Sequence, residues 1–192
     1  MLSGEQRAIL LRPINPDRVL EAQGQSHLPA FDVVAHLNRV FGFEGWDKEI
    51  IDLWLISEAS RAHPERAERT QYTVTYGCRM SLTIFALPDW NASERVKVKR
   101  IEEAATGSAN NLPSLGDAHD FAMKNAISYA LKRCAKDLGD QFGLSLYNKG
   151  SRKALVQKVI PYGEPSEAKA DWDIEKPRTL GNDEREQPDA QD

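Results

Sequence analysis

The stretch that most constrains the fold runs from Ser114 to Phe142, SLGDAHDFAMKNAISYALKRCAKDLGDQF, the longest uninterrupted helical pattern in the chain. Ser114 with Asp117 three residues on has the form of a capping box, which satisfies amide groups that a helix leaves unpaired in its first turn. Ile127, Ala130, Leu131, Cys134 and Leu138 then recur at helical spacing as one apolar stripe. A rotation of roughly 100° per residue gathers Lys132, Arg133 and Lys136 on the opposite side, with Tyr129 among them. Such a helix buries one face and turns a cationic face to water. That face is either ordinary solvated surface or a docking surface for an anionic partner.

The preceding chain supplies what the helix packs on. Residues 3–11 predict a short helix stopped by Pro13, and PDRVLEAQG predicts a second, opened by Asn15-Pro16 and closed by Gly24. A third helix spans Pro29 to Phe41, with Phe31, Val34, Leu37 and Phe41 on one face. Trp46 to Ser57 carries apolar residues too densely for a strand wet on one side and predicts a strand covered on both faces. Residues 58–70 read as a charged hairpin loop and Tyr72 to Leu87 as the second strand, followed by a turn at Pro88-Asp89 and Asn91-Ala92. Arg95-Val-Lys97-Val-Lys99 alternates cleanly, so Arg95, Lys97 and Lys99 form a positive stripe on one face of a third strand. That stripe either meets phosphate or protects a sheet edge. Ala104 to Pro113 reads as a small-residue loop. The fold class is therefore α+β: short helices, three consecutive antiparallel strands, then a long helix on their sheet.

Charge is unevenly placed. The net charge of −4 combines −6 over residues 164–192 with +2 over residues 1–163, and residues 124–160 alone carry +6. The basic segment, not the acidic total, points to the partner. The organisation expected is a folded domain over 1–160 and an acidic disordered tail over 161–192. Cys78 and Cys134 have no metal-binding spacing and read as reduced core thiols of an intracellular protein. No apolar run approaches the roughly 20 residues of a membrane span, and the start has no secretory pattern.

Motifs for nucleotide hydrolysis, dinucleotide binding, serine acyl transfer and zinc proteolysis do not occur, so neither enzymatic activity nor a cofactor or metal is expected. His27, His36, His63 and His119 are scattered and read as surface or capping residues. Glu49, Asp52, Glu102 and Glu103 lie near strand ends, where a metal-dependent nuclease would need carboxylates. That reading, and a general RNA- or protein-binding α+β module whose basic helix docks an acidic partner, are the two alternatives.

Two stretches carry the argument further. Leu37-Asn-Arg-Val-Phe-Gly-Phe-Glu-Gly-Trp-Asp-Lys-Glu-Ile50 resembles the segment entering the first strand of the Rad52/Rad22 family of single-strand annealing proteins. Ala126-Ile-Ser-Tyr-Ala-Leu-Lys-Arg-Cys-Ala-Lys-Asp-Leu-Gly-Asp-Gln-Phe-Gly143 resembles that family's long-helix signature. The resemblance covers about Pro16 to Lys153, the family's amino-terminal annealing domain.

The resemblance implies a β-β-β-α core that assembles into closed homo-oligomeric rings, with single-stranded DNA in a positively charged outer groove and no need for ATP. By motif position, Lys132, Arg133 and Lys136 match the basic floor of that groove and Phe43 an aromatic lining it. Lys149 and Lys153, with Arg152 between them, fall at a second, outer site. Arg95, Lys97 and Lys99 would supply auxiliary charge by inference, outside the family motif. Duplex DNA, a single-strand-binding protein and a recombinase are further candidate partners. The compact length suggests a phage or bacterial protein acting in the cytoplasm, or in the nucleus if eukaryotic. Asp32 stands where the family tends to carry arginine, Pro113 where an outer-site lysine is expected, and Ala105 replaces a glycine. These departures weigh more on the outer site than on the inner one.

Overall fold

In the computed structural model the described residues are 1–22, 24–86 and 94–159. The turn expected at Pro88 to Ala92 and the acidic tail expected over 161–192 lie outside them. Ser3 opens helix α1 (Gly4–Leu10) with a complete capping box, its hydroxyl accepting from the Gln6 amide while the Gln6 side chain accepts from the Ser3 amide. The segment expected to form a second helix instead makes a single 3-10 turn, Pro16–Arg18, and an antiparallel ribbon, β1 (Leu20–Ala22) with β2 (Gln25–His27). Val19 closes the turn onto the Pro16 carbonyl oxygen and takes extended backbone, and Gly24 adopts a left-handed conformation with φ +74°, which suits a hairpin.

Helix α2 (Ala30–Phe41) buries Val33, His36, Leu37, Val40 and Phe41. The expected face is therefore rotated: Phe31 is 76% exposed, and Val33, Leu37 and Val40 supply the inward stripe. His36 is a core residue, not a surface one. Arg39, which can only donate, bonds its Nδ1 at 3.0 Å, and its ring meets Phe142 edge-on at 5.0 Å.

Three long antiparallel strands follow, β3 (Trp46–His63), β4 (Arg66–Ala86) and β5 (Val96–Leu112), in spatial order β3-β4-β5. Two segments expected to be loops are strand. Residues 58–63 and 66–70 extend the first hairpin, whose turn is reduced to Pro64-Glu65 and capped by His63 Nδ1 accepting from the Glu65 amide. Residues 104–112 extend β5 up to the long helix α3 (Leu115–Lys136). α3 stops before Gly139, short of Phe142, and 3-10 turns at Asp140–Phe142 and Leu144–Tyr147 follow. Of the expected capping box, the Ser114 hydroxyl accepts from the Asp117 amide at 3.3 Å.

α3 lies on β4 and β5 through small residues. Ala118, Ala122, Ala126 and Ala130, four apart, are fully buried, facing Ala105, Gly107 and Ala109 of β5. A Cβ built on Gly107 would stand 2.1 Å from the Ala126 nitrogen and 2.7 Å from the Ala122 carbonyl oxygen. The helix backbone thus rests on the strand, and the side chains that read as loop are small because of that contact. Leu82, Met80 and Ile84 of β4 and Leu131 and Cys134 of α3 complete the core beside α2. Cys134 donates its thiol to the Met80 carbonyl, and burial raises its pKa to about 11.

β3 is left largely uncovered. Ile50, Trp54, Leu55 and Ile56 are 39–48% exposed, which corrects the expectation of a strand covered on both faces. Their apolar character therefore calls for something other than this chain's own core.

Two predictions follow from this packing. Gly107→Val should destabilise the fold by at least about 3 kcal/mol in chemical denaturation, because neither backbone can retreat from the added side chain. Burial, Arg18 and Arg39 lower the His36 pKa from 6.5 to about 4. Between those values the unfolded chain takes up a proton that the folded chain refuses. Stability from this residue is thus complete above about pH 6.5 and lost as pH falls toward 4, on the order of 2–3 kcal/mol. Denaturation at pH 7 and pH 4.5 should show that component in wild type and not in His36→Gln.

Candidate nucleic-acid interface

The last turns of α3 present Tyr129, Lys132, Arg133 and Lys136 beside the 3-10 turn that carries Tyr147. Lys132 Nζ lies 4.6 Å from the Tyr129 ring centroid and Lys136 Nζ 5.4 Å from that of Tyr147. Partial burial lowers the Lys132 pKa, so its ammonium gains more from an anion than a fully hydrated lysine would. Exposed tyrosine rings beside ammonium groups offer bases a stacking platform and phosphates a counter-charge. Lys132, Tyr147 and Lys149 line one open cleft of about 730 Å³, floored by Leu28, Val33 and Phe142 and walled by the β1-β2 ribbon.

The other helix cations are partly engaged. Arg133 donates to the Ala104 carbonyl oxygen at 2.8 Å, along the open edge of β5. Lys136 stands 3.5 Å from Asp137 and 4.0 Å from Glu103. Both also sit in the last helical turn, where cations oppose the negative end of the helix dipole.

Phe43 is 85% exposed at the tip of the turn between α2 and β3. It borders a second cleft of about 660 Å³, with Arg39, Phe85 and Arg95, away from the cleft that holds Lys132. The sequence-predicted groove residues therefore occupy two neighbourhoods of the chain.

The positive stripe expected from Arg95, Lys97 and Lys99 does not form. Ile84 pairs with Lys99 but Phe85 with Lys97, so Val98 is a bulge that sends Lys97 and Lys99 to opposite faces of the sheet. Lys99 donates to the Asp137 carbonyl oxygen at the end of α3, and Arg95 bonds Glu44 and Asp47. Of the outer-site candidates, Arg152 pairs with Glu21 at 3.3 Å, whereas Lys149 and Lys153 are exposed and form no ion pair among the described residues.

Two features escaped sequence reading. Arg18 holds Asp32 through three hydrogen bonds of 2.8–3.1 Å and also donates to Gln141. The carboxylate that departs from the family pattern is thus neutralised from a segment read as a different helix. Tyr147 joins the cationic cluster only through the turns after α3, and nothing but its aromatic type in a basic segment signals it.

Of the strand-end carboxylates, Glu49 and Glu102 face one cation. Arg100 lies 2.9 Å from Glu102 and 3.7 Å from Glu49, and among the described residues no group of three or more His, Cys, Asp or Glu side chains could hold a metal ion. Nor is any described helix long and apolar enough to cross a membrane.

Residues 4–163 match the family model described as "Rad52/22 family double-strand break repair protein". The chain is similar to the DNA repair protein RAD59 of Eremothecium gossypii, at 32% identity over 109 residues, 56% of this chain and 47% of that protein. It is also similar to the DNA repair and recombination protein rti1 of Schizosaccharomyces pombe, at 23% identity over 170 residues, 86% of this chain and 40% of that protein. The matches thus span less than half the length of either relative, and both relatives are fungal, not phage or bacterial as the compact length had suggested. With the three-stranded sheet, the long helix against it and a family match over most of its length, the chain belongs to the Rad52/22 family of double-strand break repair proteins.

Proposed function

We propose that this chain binds single-stranded DNA and anneals complementary strands in recombination and repair, without ATP, metal or bond-making chemistry. The observation that carries the reading is the cluster of Lys132 and Lys136 over Tyr129 and Tyr147 at the mouth of a cleft shared with Lys149. It combines phosphate counter-charge with aromatic faces, and holding the backbone this way leaves base edges free for pairing. Two coated strands then test each other, and only matched segments gain enough stacking and pairing to stay together.

In this reading Lys132, Arg133, Lys136 and Phe43 form the inner groove. Phe43 and the lysine cluster belong to different neighbourhoods of one chain, so a continuous path is supplied by neighbouring subunits. The uncovered apolar residues of β3 support such a homo-oligomer, since Ile50, Leu55 and Ile56 would be buried by a second copy. Lys149, Lys153 and Lys97 are the first choices for an auxiliary or outer site, and Arg152 and Lys99, which have protein partners, come after them. Residues 1–160 act as the annealing domain. The acidic segment 161–192 keeps the protein soluble or competes with DNA for the groove, and duplex DNA, a single-strand-binding protein or a recombinase are further partners. Two fungal relatives favour a nuclear site of action.

Annealing of a dye-labelled and a quencher-labelled complementary oligonucleotide, without ATP or metal, tests the assignment. Wild type should quench rapidly and Lys132→Ala/Arg133→Ala should not, and no acceleration by wild type would sink the assignment. Removing two phosphate contacts should also flatten the dependence of log affinity on log salt by about 1.4 for single-stranded DNA. An unchanged slope in the double variant would move the site away from α3.

A further inference from the structure

Arg95 precedes β5, and its described contacts join three separate segments of the fold. One guanidinium nitrogen donates to the Glu44 carbonyl oxygen at 3.0 Å and another to Asp47 Oδ2 at 2.8 Å. The guanidinium carbon lies 4.2 Å from the centroid of the Phe85 ring. Both arms of the fork and one face of the plane are thus occupied by the protein. The Val98 bulge makes this possible, because it puts the start of β5 on the same face of the sheet as Phe85.

The segment Arg95 grips is the turn that displays Phe43, and that turn is tightly constrained. Gly42 has φ +80°, and a Cβ on Gly45 would stand 2.0 Å from the Phe41 carbonyl oxygen. The turn's own backbone bond, Gly45 amide to Gly42 carbonyl, is long at 3.4 Å, and Phe85 donates to the Gly45 carbonyl at 2.9 Å. Phe43 projects from the tip and is 85% exposed, so its ring finds little packing to hold it. The Glu44 carbonyl is the point between Phe43 and Gly45 at which another element takes hold, and the residue that takes it is Arg95.

We propose that Arg95 is a positioning residue, which holds the 42–45 turn so that Phe43 is already placed when DNA arrives, and is not itself a phosphate contact. The proposal rests on the reading of Phe43 as a groove aromatic. Two physical points separate the roles. Asp47 neutralises the Arg95 charge locally, leaving little field for a phosphate, while an aromatic fixed in advance spares the ordering cost of binding. The arrangement also needs a planar fork that can bond a carbonyl and a carboxylate while stacking on a ring. Lysine keeps the charge but not that geometry.

The experiment uses Arg95→Ala, Arg95→Lys, Asp47→Asn and Phe43→Ala in the full chain. Hydrogen exchange of the DNA-free protein comes first: both Arg95 variants should speed exchange of the Gly45 and Phe85 amides, which carry the turn's backbone bonds, by about tenfold while core amides stay as in wild type. Single-stranded oligonucleotide affinity across a salt series follows. Arg95→Lys should lose as much as Arg95→Ala, about tenfold, Asp47→Asn should also weaken binding, and the salt slope should not change. Arg95→Ala should add nothing to Phe43→Ala.

The opposite pattern makes Arg95 a phosphate contact and overturns the proposal: Arg95→Lys near wild type, Asp47→Asn binding more tightly, and a slope flatter by about 0.7 in Arg95→Ala. Unchanged exchange at the Gly45 and Phe85 amides in both Arg95 variants overturns it equally. Wild-type affinity in Phe43→Ala would instead reject the groove role of Phe43, and the exchange result would still decide whether Arg95 holds the turn.

Discussion

The contact between the α3 backbone and β5 sets the rest of the structure. Ala118, Ala122, Ala126 and Ala130 bring the helix onto Ala105, Gly107 and Ala109 with no room for a Cβ at residue 107. Two backbones at that distance fix the rotation of α3 about its axis. Once Ala126 and Ala130 point at the sheet, the other side of the last two turns faces water, and Tyr129, Lys132 and Lys136 occupy it. The same contact places the helix over β4 and β5 and leaves β3 without a cover. The cationic surface and the uncovered apolar strand are consequences of one packing choice.

Much of the positive charge that attracts attention in this chain is employed in holding it together. Arg18 cancels Asp32 and ties α2 to the turn after α3, Lys99 closes the carboxyl end of α3, and Arg100 bridges Glu49 and Glu102 across the sheet. Of the cations singled out in the sequence, Lys97, Lys132, Lys149 and Lys153 are left without a side-chain ion pair or hydrogen bond among the described residues, three of them from α3 onward. Counting charge along the chain therefore overstates how many groups are left for a phosphate to meet. The engaged ones are spent on geometry, which a groove needs as much as charge, because a contact helps binding only if it is already in place.

The order of strands and helix was legible because it is written in periodicity: the helical stripe of 127–138, the β-branched run of 72–87 and the cap at Ser114 are local signals. So was the family, through the aromatic-Gly-aromatic turn before Trp46 and the Leu-Lys-Arg segment of α3. Element limits were misread where composition had two explanations. Ala104 to Asn111 is small because a helix backbone lies on it, yet small residues also make loops. In the same way 58–70 is charged because a long hairpin arm extends into water, yet charge also marks a loop.

What the sequence by itself determined is the set of elements, their order, the basic segment and the identity of the residues on the exposed side of α3, since each depends on neighbours within a few residues. Only the tertiary structure decided which cations are engaged, that Asp32 is neutralised by Arg18, that a bulge at Val98 splits the Arg95-Lys97-Lys99 stripe, and that Tyr147 stands over Lys136. Each of these joins residues far apart in the chain or turns on strand register, and a single extra residue in one strand reverses which face every later side chain takes.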